Sequence, residues 1–358
     1  MRIKKALFLG TLCTAVSGMS LFAQAGVSYA KSAEKTTEAA SSEEAESEEE
    51  TSEEVTYPIT IEHAFGETVI ESKPERIATI GWENQDTPLA LGVAPVGVSA
   101  ANYGMVTDNN LHPWTDEAFA DLGVEKPVVF DDVDGLDFEQ ISDCNPDVIL
   151  AAYSGMTQED YDTLSQIAPV IPYKEKAWQT SWREQTIENA EGMGMKSEGE
   201  KKVKEVEDLI AEKLEEYPQL EGIPTAFCWI SADDFSTFYV YLPTDPRAAY
   251  LLDLGFTLPE SVQKLAGETD DFNITVSREN ADQLDDIQLM VVYGDEDLLN
   301  SLQEDKLMSQ IPAIKNGAVA LVDSTSALAG ACTPSILSIP YEIDEYLQLL
   351  SDAAENIK

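Results

Sequence analysis

Aromatic and cationic side chains gathered in loops are the residues of this chain best suited to recognition chemistry. The stretch KEKAWQTSWR (174–183) brings Trp178, Trp182 and Arg183 close together. Trp82 follows a strand-like run ending at Gly81, while Trp229, Phe238, Tyr239 and Tyr241 come shortly before Arg247. Flat apolar faces beside a few cations suit a planar, anionic ligand, held by stacking, cation–π contact and charge-assisted hydrogen bonds. The plainer reading puts the tryptophans in the core and pairs the arginines with carboxylates. The two readings stand level for the tryptophans, and for Arg247 pairing is the preferred one.

Catalytic chemistry finds less to work with. The G-x-S-x-G, G-x-x-x-x-G-K-[ST] and G-x-G-x-x-G patterns are missing. With 67 acidic residues, any chosen carboxylate pair is by default surface. His63 and His112 fall short of a three-imidazole metal site and read as structural. The chain is therefore expected to be no enzyme, to carry no cofactor and to supply no ligand to a metal.

The elements that must position these loops repeat. Buried-type strands are expected at 76–81, 94–98, 147–152, 223–230, 287–293 and 319–322, with a hairpin around Phe65-Gly66. Helices are expected at 84–91, closed by Gly92, at 247–254, closed by Gly255, and at 342–356. Glu139 stands as far before Tyr153 as Glu279 stands before Tyr293. Leu164-Ser165-Gln166-Ile167 is echoed by Met308-Ser309-Gln310-Ile311, and Leu89-Ala90-Leu91-Gly92 by Leu252-Asp253-Leu254-Gly255. Three echoes in one order imply two similar α/β lobes with mainly parallel central sheets. Between them, 196–218 reads as one long helix of roughly 30 Å. Ser197 with Glu200 forms a capping-box pattern, Pro218 ends the helix, and Val203, Val206, Leu209, Ile210, Leu214 and Tyr217 form its apolar stripe. Helix-start glutamates are favoured by the helix dipole, but matching positions in both lobes suggest two exposed carboxylates facing a two-fold partner with basic pockets.

The formal net charge of −45 excludes nucleic acid and anionic lipid as electrostatic partners. Residues 1–25 read as a signal peptide: Arg2, Lys4 and Lys5 precede an apolar run and the Ala23-Gln24-Ala25 cleavage pattern. An uncleaved anchor is the alternative. Leu12 before Cys13 speaks against lipidation. Residues 26–56, rich in Glu, Ser and Thr, read as a disordered acidic linker holding the folded module away from the cell surface. Cys144, Cys228 and Cys332, odd in number and widely spread, are no disulfide framework, one bridge with one free thiol being the alternative, and Cys228 reads as core. The remaining boundaries are 57–195 for the first lobe, 196–218 for the helix and 219–358 for the second.

The run YPITIEHAFGETVIESKPERIATIGWENQDTPLALGVAPVGV (57–98) closely resembles the start of iron-siderophore substrate-binding proteins of ABC importers, a group that includes the enterobactin-binding periplasmic proteins. GLDFEQISDCNPDVILAAYSGMTQEDYDTLSQIAPVI (135–171), AWQTSWREQT (177–186) and DPRAAYLLDLGF (245–256) match it too, and Cys144 departs from the usual aliphatic residue. The resemblance implies a class III periplasmic-binding-protein fold, two lobes bridged by a helix and limited lobe motion. It implies a monomer, periplasmic or attached to the cell surface, that captures a ferric siderophore and delivers it to a membrane permease. Iron would be held by the siderophore's own oxygens. Glu139 and Glu279 would meet arginines on the permease subunits. Trp82, Tyr103, Tyr153, Trp178, Trp182, Arg183, Trp229, Tyr239 and Arg247 would line the cleft. Haem or a cobalamin-type corrinoid is the alternative ligand, and a hydrolase or an adhesin the alternative class.

Overall fold

A computed structural model describes residues 55–358 except 133–134. The expected signal peptide, Cys13 and nearly all of the acidic linker lie outside the described residues. The first lobe opens on the hairpin β1 (Ile59–His63) and β2 (Gly66–Ile70), antiparallel as the sequence suggests. Strands and helices then alternate: β3 (Ile77–Thr79), α1 (Asp86–Ala90), β4 (Val98–Ser99), α2 (Pro113–Asp121), β5 (Val129–Phe130), α3 (Phe138–Asp143), β6 (Val148–Ala151), α4 (Gln158–Leu164) and β7 (Val170–Pro172). β3, β6 and β7 run parallel in the order β3-β6-β7, and β4 pairs parallel with β5. A bridge between Ala78 and Gly97 joins the two sets. The strand expected over 94–98 shrinks to its end, since Pro95 has no amide to give a ladder.

Two helices lead into the second lobe, α5 (Trp182–Gly192) and α6 (Lys196–Leu214). There follow β8 (Thr225–Trp229), β9 (Thr237–Tyr241), α7 (Pro246–Asp253), α8 (Glu260–Ala266), β10 (Asn273–Ser277), β11 (Leu289–Tyr293), α9 (Glu296–Glu304), α10 (Pro312–Asn316), β12 (Val319–Val322), α11 (Ala327–Ala331) and α12 (Ser338–Ala354). The order is β10-β9-β8-β11-β12. β8, β11 and β12 are parallel and repeat the β3-β6-β7 arrangement of the first lobe. β9 runs antiparallel to both β8 and β10, so this sheet is mixed. Val291 and Val292 of β11 and Ile149 and Leu150 of β6 are fully buried, as near-continuous apolar strands in a covered sheet must be.

The repeat carries the two glutamates to matching places. Glu139 lies in the first turn of α3, ahead of β6; Glu279 lies in the 3-10 turn Arg278–Gln283, ahead of β11. Both are exposed.

α6 ends at Leu214, short of Pro218, which instead begins a 3-10 turn. Ser197 does not cap it: the cap position falls on Met195, and no side chain there takes a hydrogen bond. Val203, Val206 and Ile210 enter the apolar core of the second lobe, while Gly199 lies against Ala190 of α5, where an added Cβ would come within 2.5 Å of the alanine Cβ. Lys213 reaches Asp344 of α12 at 2.7 Å. Other ties run directly between the lobes: the Met105 amide donates to the Ser326 carbonyl at 2.9 Å, and Gln179 to the Asp270 carbonyl at 2.9 Å. Cys144, Cys228 and Cys332 are buried and unpaired, and burial pushes the Cys332 thiol up to about 12. Among the described residues no helix is long and apolar enough to cross a membrane.

Candidate functional site

Parallel strands deliver the loops at their carboxyl ends to one place, and that is where ligands bind in open α/β sheets. In the first lobe Trp82 follows β3, Tyr103 follows β4, Tyr153 follows β6 and Trp178 follows β7. In the second, Trp229 ends β8 and Tyr293 ends β11, while Tyr241 comes from the antiparallel strand β9 and Arg247 from the first turn of α7. These side chains line one cleft of about 380 Å³. A neighbouring cavity of about 310 Å³ shares Trp82 and Trp178 and adds Asp132, Asp160 and Ser154. Both sizes fall in the range of small-molecule sites.

The aromatic walls are built by contact. Trp178 meets Tyr153 edge to face at 5.3 Å, and Tyr103 meets Tyr293 across the lobes at 5.2 Å. Trp178 has φ 61, outside the usual range for its residue type, and its indole lies over the Gly155 backbone. A Cβ at Gly155 would come within 2.5 Å of the indole nitrogen, so this glycine makes room for the ring. Trp229 stacks on Tyr239 at 5.4 Å and 28°, and both are about two-fifths exposed (41% and 39%). Tyr239 thus sits on the rim, backing Trp229, and is not itself part of the lining.

Arg247 reaches the cleft already paired. Its Nε and Nη2 donate to the two carboxylate oxygens of Asp245 at 2.8 and 2.7 Å, and its guanidinium lies 3.8 Å from the Tyr241 ring centre. Asp245 is buried and also caps α7 by accepting from the Arg247 amide. Despite burial, this pairing raises the guanidinium pKa further. The preferred reading of Arg247 as a paired residue and the alternative of a cleft residue are both realised.

Trp182 and Arg183 stand elsewhere, which corrects the expectation drawn for them. Ser181 accepts from the Glu184 amide and Glu184 returns a bond to Ser181, a capping box that starts α5 at Trp182. As a helix residue Trp182 turns into the core at 2% exposure, with its indole N–H donating to Asp253 at 3.0 Å. Arg183 is held by Glu207 at 2.6 Å and Asp253 at 2.7 Å, an inter-element clasp away from the cleft.

Lining residues not singled out beforehand are Tyr293, Asp245, Phe272 and Thr333. Tyr293 was legible in principle, because it holds in the second repeat the position of Tyr153 in the first. Asp245 was legible as the cap of the Asp-Pro-Arg helix start. Phe272 and Thr333 carry no such signal. Both histidines have structural partners: His63 with Thr68 at 2.9 Å, and His112 with the Tyr103 carbonyl at 2.9 Å.

Residues 77–325 match the family described as periplasmic binding protein. A probable siderophore-binding lipoprotein of Bacillus subtilis, YfiY, is 25% identical over 276 residues, covering 74% of this chain and 80% of that protein. The crystal structure of Streptococcus pneumoniae PiaA in complex with ferrichrome is 48% identical, with a TM-score of 0.81, covering 84% of this chain and all (100%) of that one. Staphylococcus aureus SirA complexed with staphyloferrin B shares the fold at 22% identity and a TM-score of 0.64, over 83% of this chain and 99% of that one. With its paired parallel sheets, its strand-end cleft and a match running from β3 past β12, the chain belongs to the periplasmic binding protein family.

Proposed function

We propose that the protein is the substrate-binding component of an ABC importer and that its cleft captures a ferric siderophore. The observation that carries this reading is the cleft's chemistry: aromatic walls from both lobes with one cation, Arg247, neutralised by Asp245. Such a site favours a bulky chelate of low net charge, in which iron keeps the siderophore's oxygens as ligands. An uncharged ferric hydroxamate fits it better than an anionic catecholate, because Arg183 is turned away and no second cation lines the cleft among the described residues. The relative crystallised with ferrichrome supports the same class. Titration by tryptophan quenching with ferrichrome, a ferric catecholate, haemin and cobalamin tests it. Tight binding of ferrichrome alone is expected; tight binding of haemin or cobalamin alone would overturn it.

Residues 57–195 and 219–358 act as the two lobes, with the shorter helix α6 (Lys196–Leu214) bridging them. The chain is exported and monomeric, and it hands its ligand over chemically unchanged. Glu139 and Glu279, exposed at the same place in each lobe, are the contacts offered to the two permease subunits. Of the nine side chains expected at the ligand, Trp82, Tyr103, Tyr153, Trp178, Trp229 and Arg247 are proposed to touch it, with Tyr239 as support for Trp229.

A further inference from the structure

Tyr103 stands on a long irregular loop. The chain leaves β4 at Ser99 and enters no helix until Pro113, so no regular element of the first lobe carries this wall of the cleft. Contacts hold it instead. Behind it, the Tyr103 carbonyl accepts from Nε2 of His112 at 2.9 Å, and its ring meets Tyr293 of the second lobe edge to face at 5.2 Å. Just after it, the backbone of Gly104 and Met105 lies on the start of α11 in the second lobe, where the Met105 amide donates to the Ser326 carbonyl at 2.9 Å.

Two glycines make that approach possible. A Cβ at Gly104 would stand 2.8 Å from the Gly330 nitrogen and 3.0 Å from the Ser326 carbonyl oxygen. Both are backbone atoms of the opposite lobe, which cannot turn aside as a side chain could, so only a shift of the loop or of the lobes would make room. From the other side, a Cβ at Gly330 would stand 2.8 Å from His112 Nε2 and 3.2 Å from the Trp114 ring, both of the first lobe. Those two rings are buried and stacked on each other at 4.6 Å, which leaves them little room to yield. Gly104 also needs its φ of 77, but Gly123 has φ 80 with nothing within 4 Å of an added Cβ. The strain is shared; the opposing backbone is not.

Resting on the siderophore reading of the cleft, we infer that Gly104 is a positioning residue that sets the size of chelate accepted. Its bare backbone lets the lobes meet at Gly330, and that contact fixes how far Tyr103 stands from the second-lobe wall formed by Tyr293 and Arg247. A methyl group there holds the cleft wider at this end. A compact chelate then loses contact with one wall, and a bulkier one loses less.

The test titrates the whole chain with ferrichrome and with ferrirubin, a neutral cyclic ferric trihydroxamate with longer acyl arms. Gly104→Ala is expected to weaken ferrichrome binding by about tenfold or more and ferrirubin binding by less than about threefold. Gly123→Ala, with the same backbone strain and open space around it, is expected to lower the unfolding midpoint to a similar extent and to leave both affinities within about twofold. An unchanged preference between the two chelates in Gly104→Ala would overturn the inference, and so would a Gly123→Ala chain that reproduced the shift. Should Gly104→Ala not fold, Gly330→Ala, in a helical turn free of that strain, decides in its place and is expected to shift the preference in the same direction. If wild type binds neither chelate, the ligand reading fails instead. Hydrogen exchange at the Met105 amide of the unliganded chain then tests the lobe contact by itself. Protection in wild type and Gly123→Ala that drops by about tenfold or more in Gly104→Ala upholds it, and equal protection in all three sinks it.

Discussion

Trp178 and Trp182 lie in one short stretch and separate completely in their work. Trp178, 39% exposed, offers its ring to the cleft; Trp182 is core. Trp178→Ala should therefore weaken ligand binding by roughly tenfold or more while leaving the unfolding midpoint nearly unchanged. Trp182→Ala should do the reverse, costing about 3–5 kcal/mol of stability with affinity per folded molecule preserved. Denaturant melts paired with ligand titrations read both, and parallel losses in the two variants would refute the division. The sequence gathers both tryptophans as aromatic residues of one loop, and only the Ser181–Glu184 cap tells them apart. Once that cap is recognised, Trp182 must follow a helical path inward and Trp178 must stay in the loop.

At the scale of elements, a Ser-x-x-Glu signature stands at the start of both α5 and α6 but caps only α5. Ser181 and Glu184 close a capping box on α5, whereas Ser197, three residues before Glu200, is already inside α6. The two helices are joined by only Met193, Gly194 and Met195, so the chain resumes a helical path before Ser197 and its hydroxyl has no cap position to fill. Ser181→Ala is accordingly expected to cost about 1 kcal/mol, and Ser197→Ala about zero, by urea unfolding. Equal costs would show that both serines cap. The parallel strands were readable because burial on both faces writes itself as an apolar run, as in β6 and β11. β9 and β10 were not, since Thr237–Tyr241 was read for its aromatic rings and Asn273–Ser277 alternates too weakly to stand out. Their antiparallel pairing is a choice made by tertiary neighbours, which local sequence does not record.

For the whole molecule, the matched glutamates and the acidic charge each carry an expectation. Glu139→Ala with Glu279→Ala should leave ligand affinity intact and reduce cellular iron uptake by about tenfold or more; unchanged uptake would reduce both to helix-start residues. Stability should fall as pH rises. Burial, with Glu184 adding, raises Glu188 to about 8, and burial, with Glu345 adding, raises Glu342 to about 7. The folded chain therefore keeps protons that the unfolded chain releases near its ordinary carboxyl range, and the stability they lend is lost as pH climbs from about 4 through those values. Self-repulsion at a net charge of −45 acts in the same direction. The thermal midpoint should drop between about pH 5 and about pH 8, less steeply in Glu188→Gln and Glu342→Gln, and a midpoint that climbs over this range would contradict the assignment. The burial of Cys144, Cys228 and Cys332 has a practical side. A cysteine introduced at Tyr239, on the rim beside Trp229, would be the one reagent-accessible thiol among the described residues, and a dye attached there would turn the protein into an optical gauge of iron chelates.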